Sequence, residues 1–177
     1  NATTTGYYLR KYVNNSVTFE PCETTTSQQH NWILFRYAEI LLNYAEAMVN
    51  AYGDPDYTGS YSLSARDAVN QVRNRGDVKM PAYPADMSKD AFLKRLKNER
   101  RVEFAFEGQR FWDLRRWKEL DNMQNIYKVK VVKQTDGTIQ YTKALHATYN
   151  IQDKMYFYPI SNTELFKNHK LVQNTGW

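Results

Sequence analysis

Apolar residues recur at steps of three and four positions between residues 32 and 51. The stripe consists of Ile33, Tyr37, Ile40, Leu41, Tyr44, Ala45 and Met48. Such steps place side chains on one side of an α-helix and leave its other side to water. The spacing therefore predicts a long amphipathic helix from about Trp32 to Ala51.

Capping residues and helix breakers predict two further helices. The loop GDPDYTGSYS follows the first helix, and Ser64 can cap a second one that ends at Arg75 before a glycine. Its apolar residues are Ala65, Ala68, Val69 and Val72. Ser88 can cap a third helix, which we expect to continue to Glu107. The first two helices form an antiparallel pair of about 40 residues, which is consistent with a tetratricopeptide-like unit.

The remaining third of the chain changes character. A fourth helix is predicted from Gln109 to Leu120, with Phe111, Trp112, Leu114 and Trp117 as its buried stripe. Alternating polar and apolar residues on both sides of Asp136-Gly137 then predict a β-hairpin. The tail contains a β-like KMYFYPI and a short helix at about residues 162 to 166. The predicted fold class is mainly α, with helix pairs, a small hairpin and an irregular C-terminal tail.

One segment, ERRVEFAFEGQRFWDLRRW at residues 99 to 117, has an unusual density of charged and aromatic residues. Glu99, Glu103 and Glu107 stand four residues apart, a spacing that would suit paired catalytic carboxylates. Arginines within helical reach lower the pKa of a carboxyl, whereas a general acid needs a raised pKa. Single-strand nucleic-acid binding by the arginines and tryptophans is a second alternative. The pattern favours structural ion pairs over both.

Composition excludes several other kinds of site. The net charge of +5 arises from interleaved rather than massed basic residues, which argues against nucleic acid. The single cysteine and three scattered histidines supply no zinc pattern, and we expect no cofactor. Asp54 and Asp56 lack the remaining ligands of a calcium loop. No apolar run reaches the roughly 18 to 20 residues of a membrane span.

Five motifs in a fixed order resemble the C-terminal part of SusD/RagB family proteins. These are TGYYLRKY, RYAEILLNYAEA, ARDAVNQVRNRG, LKNERRVEFAFEGQRFWDLRRW and YFYPISNTELFKNHKLVQNTGW. The resemblance implies a SusD-like helical fold with tetratricopeptide-like helix pairs. Residues 1–177 would form the C-terminal portion of one such domain. Within it, 1–31 would be an irregular lead-in, 32–120 the helical pairs, and 121–177 the hairpin and tail.

The resemblance also implies a function. Members are lipoproteins on the outer-membrane surface of Bacteroidetes bacteria that capture glycans, or in some cases peptides, for a SusC-type TonB-dependent transporter. They are binding proteins rather than enzymes, so we expect no catalytic residue and no metal. Membrane attachment would come from a lipid anchor outside this chain. A helical protein-interaction scaffold without a glycan ligand is the alternative.

The resemblance assigns the charged segment to the family's framework, and rings that stack on sugars to loops. The predicted structural ion-pair network consists of Glu99, Arg100, Glu103, Arg110, Asp113 and Arg116. The candidate ligand-binding residues are the loop and lead-in aromatics Tyr7, Tyr8, Trp32, Tyr57 and Tyr61.

Overall fold

The protein is described by a computed structural model that covers residues 3–17, 31, 33–76 and 78–177. Within these ranges helices predominate, and the strands form one two-stranded antiparallel sheet. The chain divides into two compact units. The helical unit comprises the described residues within 16–110, and the hairpin unit comprises those within 1–15 and 111–177.

The helical unit contains α1 (Tyr37–Tyr52), α2 (Ala65–Arg73) and α3 (Lys89–Glu103). Both α2 and α3 pack against α1. The apolar stripes of the three helices meet in one core, whose fully buried members include Leu42, Ala45, Val49, Ala68, Val69, Phe92 and Leu96. The predicted first helix starts later than expected, at Tyr37. Ile33 precedes it, and Tyr37 and Ile40 lie exposed rather than buried.

Local signals set the ends of the α1–α2 connection. Gly53 adopts a left-handed conformation with φ 79°, and its N–H closes α1 by donating to the Val49 carbonyl. Ser64 caps α2, because its hydroxyl accepts from the Asp67 N–H while the Asp67 carboxylate accepts from the Ser64 N–H. The predicted cap is confirmed.

The third helix is shorter than its sequence predicts, ending at Glu103 rather than Glu107. The following residue, Phe104, is buried, and Phe106 takes a left-handed backbone with φ 64°. A non-glycine residue in that region cannot continue a right-handed helix. The chain therefore turns before Gly108, the residue that the sequence indicated as the stop.

The hairpin unit contains β1 (Asn125–Lys133), β2 (Ile139–Thr148), α5 (Asn162–Lys167) and all but the first two residues of α4 (Gln109–Arg116). The strands pair around the predicted Asp136-Gly137 turn, in which Gly137 has φ 86°. Thr5 lies beside β1, because the Val129 N–H donates to the Thr5 carbonyl at 2.9 Å.

The fourth helix and the tail differ in part from expectation. Helix α4 ends at Arg116, and a separate 3-10 helix spans Leu120–Met123. The β-like KMYFYPI forms no strand, since a 3-10 helix occupies Asp153–Tyr156. The short tail helix is confirmed as α5, with Ser161 as its cap.

Candidate functional site

Four tyrosines cluster where α1 meets the α1–α2 loop. The rings of Tyr52 and Tyr57 stack with centroids 4.2 Å apart and planes inclined by 23°. The Tyr61 hydroxyl shares a hydrogen bond of 3.2 Å with the Tyr52 hydroxyl. The Tyr61 ring also meets the Tyr44 ring edge to face at 6.5 Å. We call this set, Tyr44, Tyr52, Tyr57 and Tyr61, the tyrosine platform.

The tyrosine platform is anchored at one end and open at the other. Tyr44 is half-buried, and its hydroxyl donates to the Leu63 carbonyl at 2.6 Å. Tyr52, Tyr57 and Tyr61 are 43%, 38% and 48% exposed. The hydrogen bond with Tyr61 raises the pKa of Tyr52 above its usual value. Rings that are braced by each other and open to solvent offer flat apolar faces beside hydroxyl groups.

An ion pair between the buried Arg66 and the half-exposed Asp56 holds the loop that carries Tyr57. Asp56 accepts hydrogen bonds from Arg66 Nε and Nη2 at 2.5 and 2.7 Å, a bidentate arrangement. Arg66 is only 8% exposed, and its backbone N–H donates to the Pro55 carbonyl. The Arg66 hydrogen bond lowers the pKa of Asp56, and the Asp56 hydrogen bond raises the pKa of Arg66. The loop is thereby fixed to the first turn of α2.

A groove of about 1080 Å³ runs along α1 and α2 in the same unit. Leu63, whose carbonyl binds Tyr44, lies in its wall, so the groove adjoins the tyrosine platform. Apolar residues and planar amides line it together, among them Leu41, Val72, Met80, Asn70, Gln71 and Asn74. Tyr37 stands at the groove with its side chain 67% exposed. A mixed lining of this kind suits a ligand with both apolar faces and hydroxyl groups.

The two arginines of the groove are bound by carboxylates of the charged segment and the turn that follows α3. Arg36 donates from Nε to Glu107 at 2.8 Å and from Nη2 to the Glu103 carbonyl at 2.7 Å. Arg75 donates to both oxygens of Glu103 at 2.8 and 2.9 Å. Burial disfavours the Arg36 charge, but the hydrogen bonds that Arg36 donates to Glu107 and Glu103 outweigh this effect and raise its pKa. Arg36 also lies 4.7 Å from the Phe104 ring centroid.

Other charged residues of the segment lie as follows. Glu99 pairs with Arg73, and buried Arg100 donates to Asn43 at 2.6 Å. In the hairpin unit, buried Asp113 pairs with Arg116 three residues later at 2.8 Å. Arg110, in the first turn of α4, is half-buried. The framework role of all six predicted network residues stays a prediction.

The aromatic residues of α4 do not follow the predicted buried stripe. Leu114 is fully buried, but Trp112 is 57% exposed. Phe111 is half-buried, and the guanidinium carbon of Arg115 sits 3.5 Å from its ring centroid, a cation–π contact that covers one face of this ring.

Two of the five candidate ligand-binding residues, Tyr57 and Tyr61, come together in the tyrosine platform. Tyr7 and Tyr8 belong to the hairpin unit and are exposed, and Trp32 falls outside the described residues. Sequence reasoning missed Tyr52 and placed Tyr44 in the helix stripe. The signal was available, because Tyr37, Leu41, Tyr44, Met48 and Tyr52 follow one another at three- and four-residue steps.

The described residues offer neither a metal cluster nor a membrane span. Among them, no group of three or more His, Cys, Asp or Glu side chains is arranged to hold a metal ion. No helix in the described ranges has both the length and the apolar character to cross a bilayer.

Comparison with known proteins identifies the family. The sequence pattern of the SusD family matches residues 1–177. This chain belongs to the SusD family. Its helical arrangement resembles the crystal structure of a SusD-like protein from Bacteroides fragilis, with a TM-score of 0.68 and 33% sequence identity. That match covers 83% of this chain and 26% of the solved chain, and it confirms the predicted fold class.

Two curated SusD-like proteins from Formosa agariphila are also similar. One is 37% identical over 90 residues, which make up 48% of this chain and 16% of the relative. The other is 33% identical over 93 residues, 50% of this chain and 17% of the relative. The SusD-family chain described here thus matches about a quarter of the solved relative and about a sixth of the curated ones.

Proposed function

We propose that this SusD-family chain is part of a cell-surface protein that binds oligosaccharide or polysaccharide nutrients. Its partner is a SusC-type TonB-dependent transporter in the outer membrane, to which it delivers the glycan. A lipid anchor outside these 177 residues attaches it to the membrane. Binding is an equilibrium process in which no bond of the ligand is broken.

Family membership over residues 1–177 is the observation that carries the proposal. The tyrosine platform supports it from the geometry, because stacked, exposed rings beside hydroxyl groups match the apolar faces and hydroxyls of sugar rings. The adjoining groove supplies amide groups from Asn70, Gln71 and Asn74, which can donate and accept hydrogen bonds. We assign glycan contact to the platform and the groove.

The charged segment has a framework role in this proposal. Its carboxylates are bound by arginines, as in the Arg36–Glu107 and Arg75–Glu103 pairs. A carboxylate held in this way is a poor proton donor for glycoside hydrolysis. Glu103→Gln should therefore lower the free energy of unfolding, and neither the parent nor the variant should hydrolyse a glycan.

Affinity electrophoresis of the full-length protein tests the proposal. The protein should migrate more slowly in native gels that contain its cognate polysaccharide. Tyr57→Ala should weaken that retardation about two- to tenfold, since it removes one stacking face. Tyr57→Phe keeps the ring and should behave like the parent.

Tyr141→Ala provides the matched control, because Tyr141 is 67% exposed on β2 in the other unit. If Tyr57→Ala and Tyr141→Ala weaken retardation equally, the assignment of glycan contact to the tyrosine platform is contradicted. Indifference of the parent protein to a broad panel of polysaccharides, together with binding of peptides, would favour the peptide-binding alternative.

A further inference from the structure

The charges beside the tyrosine platform are mainly negative. Asp54 and Asp56 lie in the loop that carries Tyr57, and Asp67 belongs to the first turn of α2. Asp86 and Asp54 both act electrostatically on Arg66. Among the groups that contacts connect to this loop, carboxylates therefore outnumber cations.

The cations nearby are already engaged or inaccessible. Arg66 gives Nε and Nη2 to Asp56, and its Nη1 is buried from solvent. Lys89 donates to the Asn50 carbonyl near the end of α1. The arginines that line the groove, Arg36 and Arg75, are bound by carboxylates. An anionic sugar would thus meet carboxylates at the platform, and the arginines nearby are already bound to carboxylates.

The local charge contrasts with that of the whole chain. The net charge of +5 would by itself attract acidic polysaccharides. At the tyrosine platform the carboxylates outnumber the cations, and like charges that are close together repel, an effect that salt screens at exposed groups. Neutral sugars escape this repulsion, and their hydroxyls can donate to exposed carboxylates such as Asp54.

We infer that the tyrosine platform selects uncharged oligosaccharides and rejects anionic ones such as uronates and sulfate esters. This inference rests on the proposed function and narrows it to one class of ligand. Asp54 is the principal specificity residue. It is exposed, and its Oδ1 accepts the Asp56 N–H at 2.9 Å, so its second oxygen remains for a ligand hydroxyl.

The test uses the full-length protein in native gels. A panel of neutral and acidic polysaccharides first identifies a polymer that retards the protein. A neutral polymer is then compared in two derivatised forms, hydroxyethylated and carboxymethylated to the same degree, which differ in charge but little in bulk. We expect the carboxymethyl form to bind about tenfold more weakly than the hydroxyethyl form. High salt should reduce this difference in affinity between the two forms, because salt screens exposed charges.

Two variants separate charge from fold. Asp54→Asn keeps a side-chain oxygen that can accept the Asp56 N–H, and it should reduce the difference in affinity between the two derivatives. Asp54→Lys should reduce that difference further. Asp153→Asn alters an exposed aspartate in the hairpin unit and should leave the difference in affinity between the two polymers unchanged.

The outcomes distinguish the two levels of the proposal. Equal or stronger binding of the carboxymethyl form, or retardation by acidic polysaccharides alone, overturns the selectivity and leaves the proposed function standing. If the Asp54 variants show the same difference in affinity between the two polymers as the parent, Asp54 is not the principal specificity residue. Retardation by no polysaccharide overturns the proposed function and the selectivity with it.

Discussion

At the scale of single residues, Gly59 controls where the Tyr57 ring can lie. Gly59 has φ 52°, and a Cβ placed on it would lie 2.5 Å from the Tyr57 hydroxyl oxygen. Gly59→Ala should therefore push the Tyr57 ring off its stack with Tyr52. We expect glycan retention to fall about two- to tenfold, as for loss of the ring. Near-UV circular dichroism should report the altered tyrosine environment.

Gly53→Ala is the appropriate comparison for that variant. Gly53 also has a left-handed backbone, with φ 79°, but a Cβ added to it would meet nothing within 4 Å. This change should cost roughly 1 kcal/mol of stability through backbone strain. Glycan retention should be unaffected at a temperature where both variants are folded. A matching loss of retention in both would show that strain, rather than displacement of Tyr57, is responsible.

The pair formed by Asp56 and Arg66 predicts a dependence on pH. The Arg66 hydrogen bond lowers the pKa of Asp56 below its usual 3.8. A carboxylate with a lowered pKa stabilises the fold above its unfolded-state pKa, and this contribution is lost as pH falls through the folded-state pKa. Asp56→Asn should reduce the free energy of unfolding by about 1 kcal/mol at neutral pH, because it leaves the buried Arg66 without a charged partner, while solvent already screens the half-exposed Asp56.

Urea unfolding of the parent and Asp56→Asn over a series of pH values checks this. The difference in free energy of unfolding between the parent and the variant should be constant from neutral pH down to about pH 4. Below about pH 4 this difference should become smaller. Arg66→Met in the Asp56→Asn background should recover part of the loss, since no buried charge then lacks its partner. A difference that persists unchanged in strong acid would contradict the assigned ion pair.

At the scale of secondary-structure elements, the cap of α2 contributes more than that of α5. Ser64 is 4% exposed and forms a reciprocal capping box, whereas Ser161 caps a six-residue helix without buried residues. Ser64→Ala should lower the free energy of unfolding by about 1 to 2 kcal/mol. Ser161→Ala should lower the free energy of unfolding by less than about half of the loss caused by Ser64→Ala. Equilibrium denaturation measures both, and equal effects would contradict the difference in burial.

The elements also show which features the sequence could predict. Local signals such as the Ser64 cap and the Asp136-Gly137 turn act within a few residues, so α2 and the hairpin were predictable. The end of α3 depends on burial of Phe104 and on the left-handed Phe106, neither of which has a local signature. The exposure of Trp112 could not be predicted from spacing either, since the predicted stripe included both Trp112 and the fully buried Leu114.

The tyrosine platform was predictable only in part. Tyr57 and Tyr61 were recognisable as loop aromatics, but their stacking and hydrogen-bonding partners come from α1. Tyrosines on an apolar stripe are assigned to the core when only the spacing is known. Their partial exposure depends on the path of the loop, to which the Asp56–Arg66 pair contributes a long-range contact that the spacing does not reveal.

At the scale of the whole molecule, the two units differ in how much they bury. The helical unit holds a core of fully buried side chains such as Leu42, Val49 and Phe92, whereas both strands of the hairpin are exposed over much of their length. Amides in buried helices open only with extensive unfolding, and those of a two-stranded sheet open locally. Stability is therefore concentrated in the helical unit.

Hydrogen–deuterium exchange of the full-length protein tests that distribution. The slowest amides of this chain should lie in α1 and α2, and those of β1 and β2 should exchange much faster. The hairpin turn at Gly137 should exchange fastest of the sheet. Protection of the strands equal to that of α1 would mean that another surface covers the hairpin in solution.

The fastening of the α1–α2 loop has an evolutionary consequence. Gly53 closes the helix before the loop, and Ser64 and Arg66 secure the helix after it, so the residues between are held in place by their ends. Substitutions at positions such as 54, 57 and 61 can therefore accumulate without disturbing the helices beneath. Related proteins could therefore differ in ligand specificity through a few side chains of this loop, while the helices on either side keep the same sequence and packing.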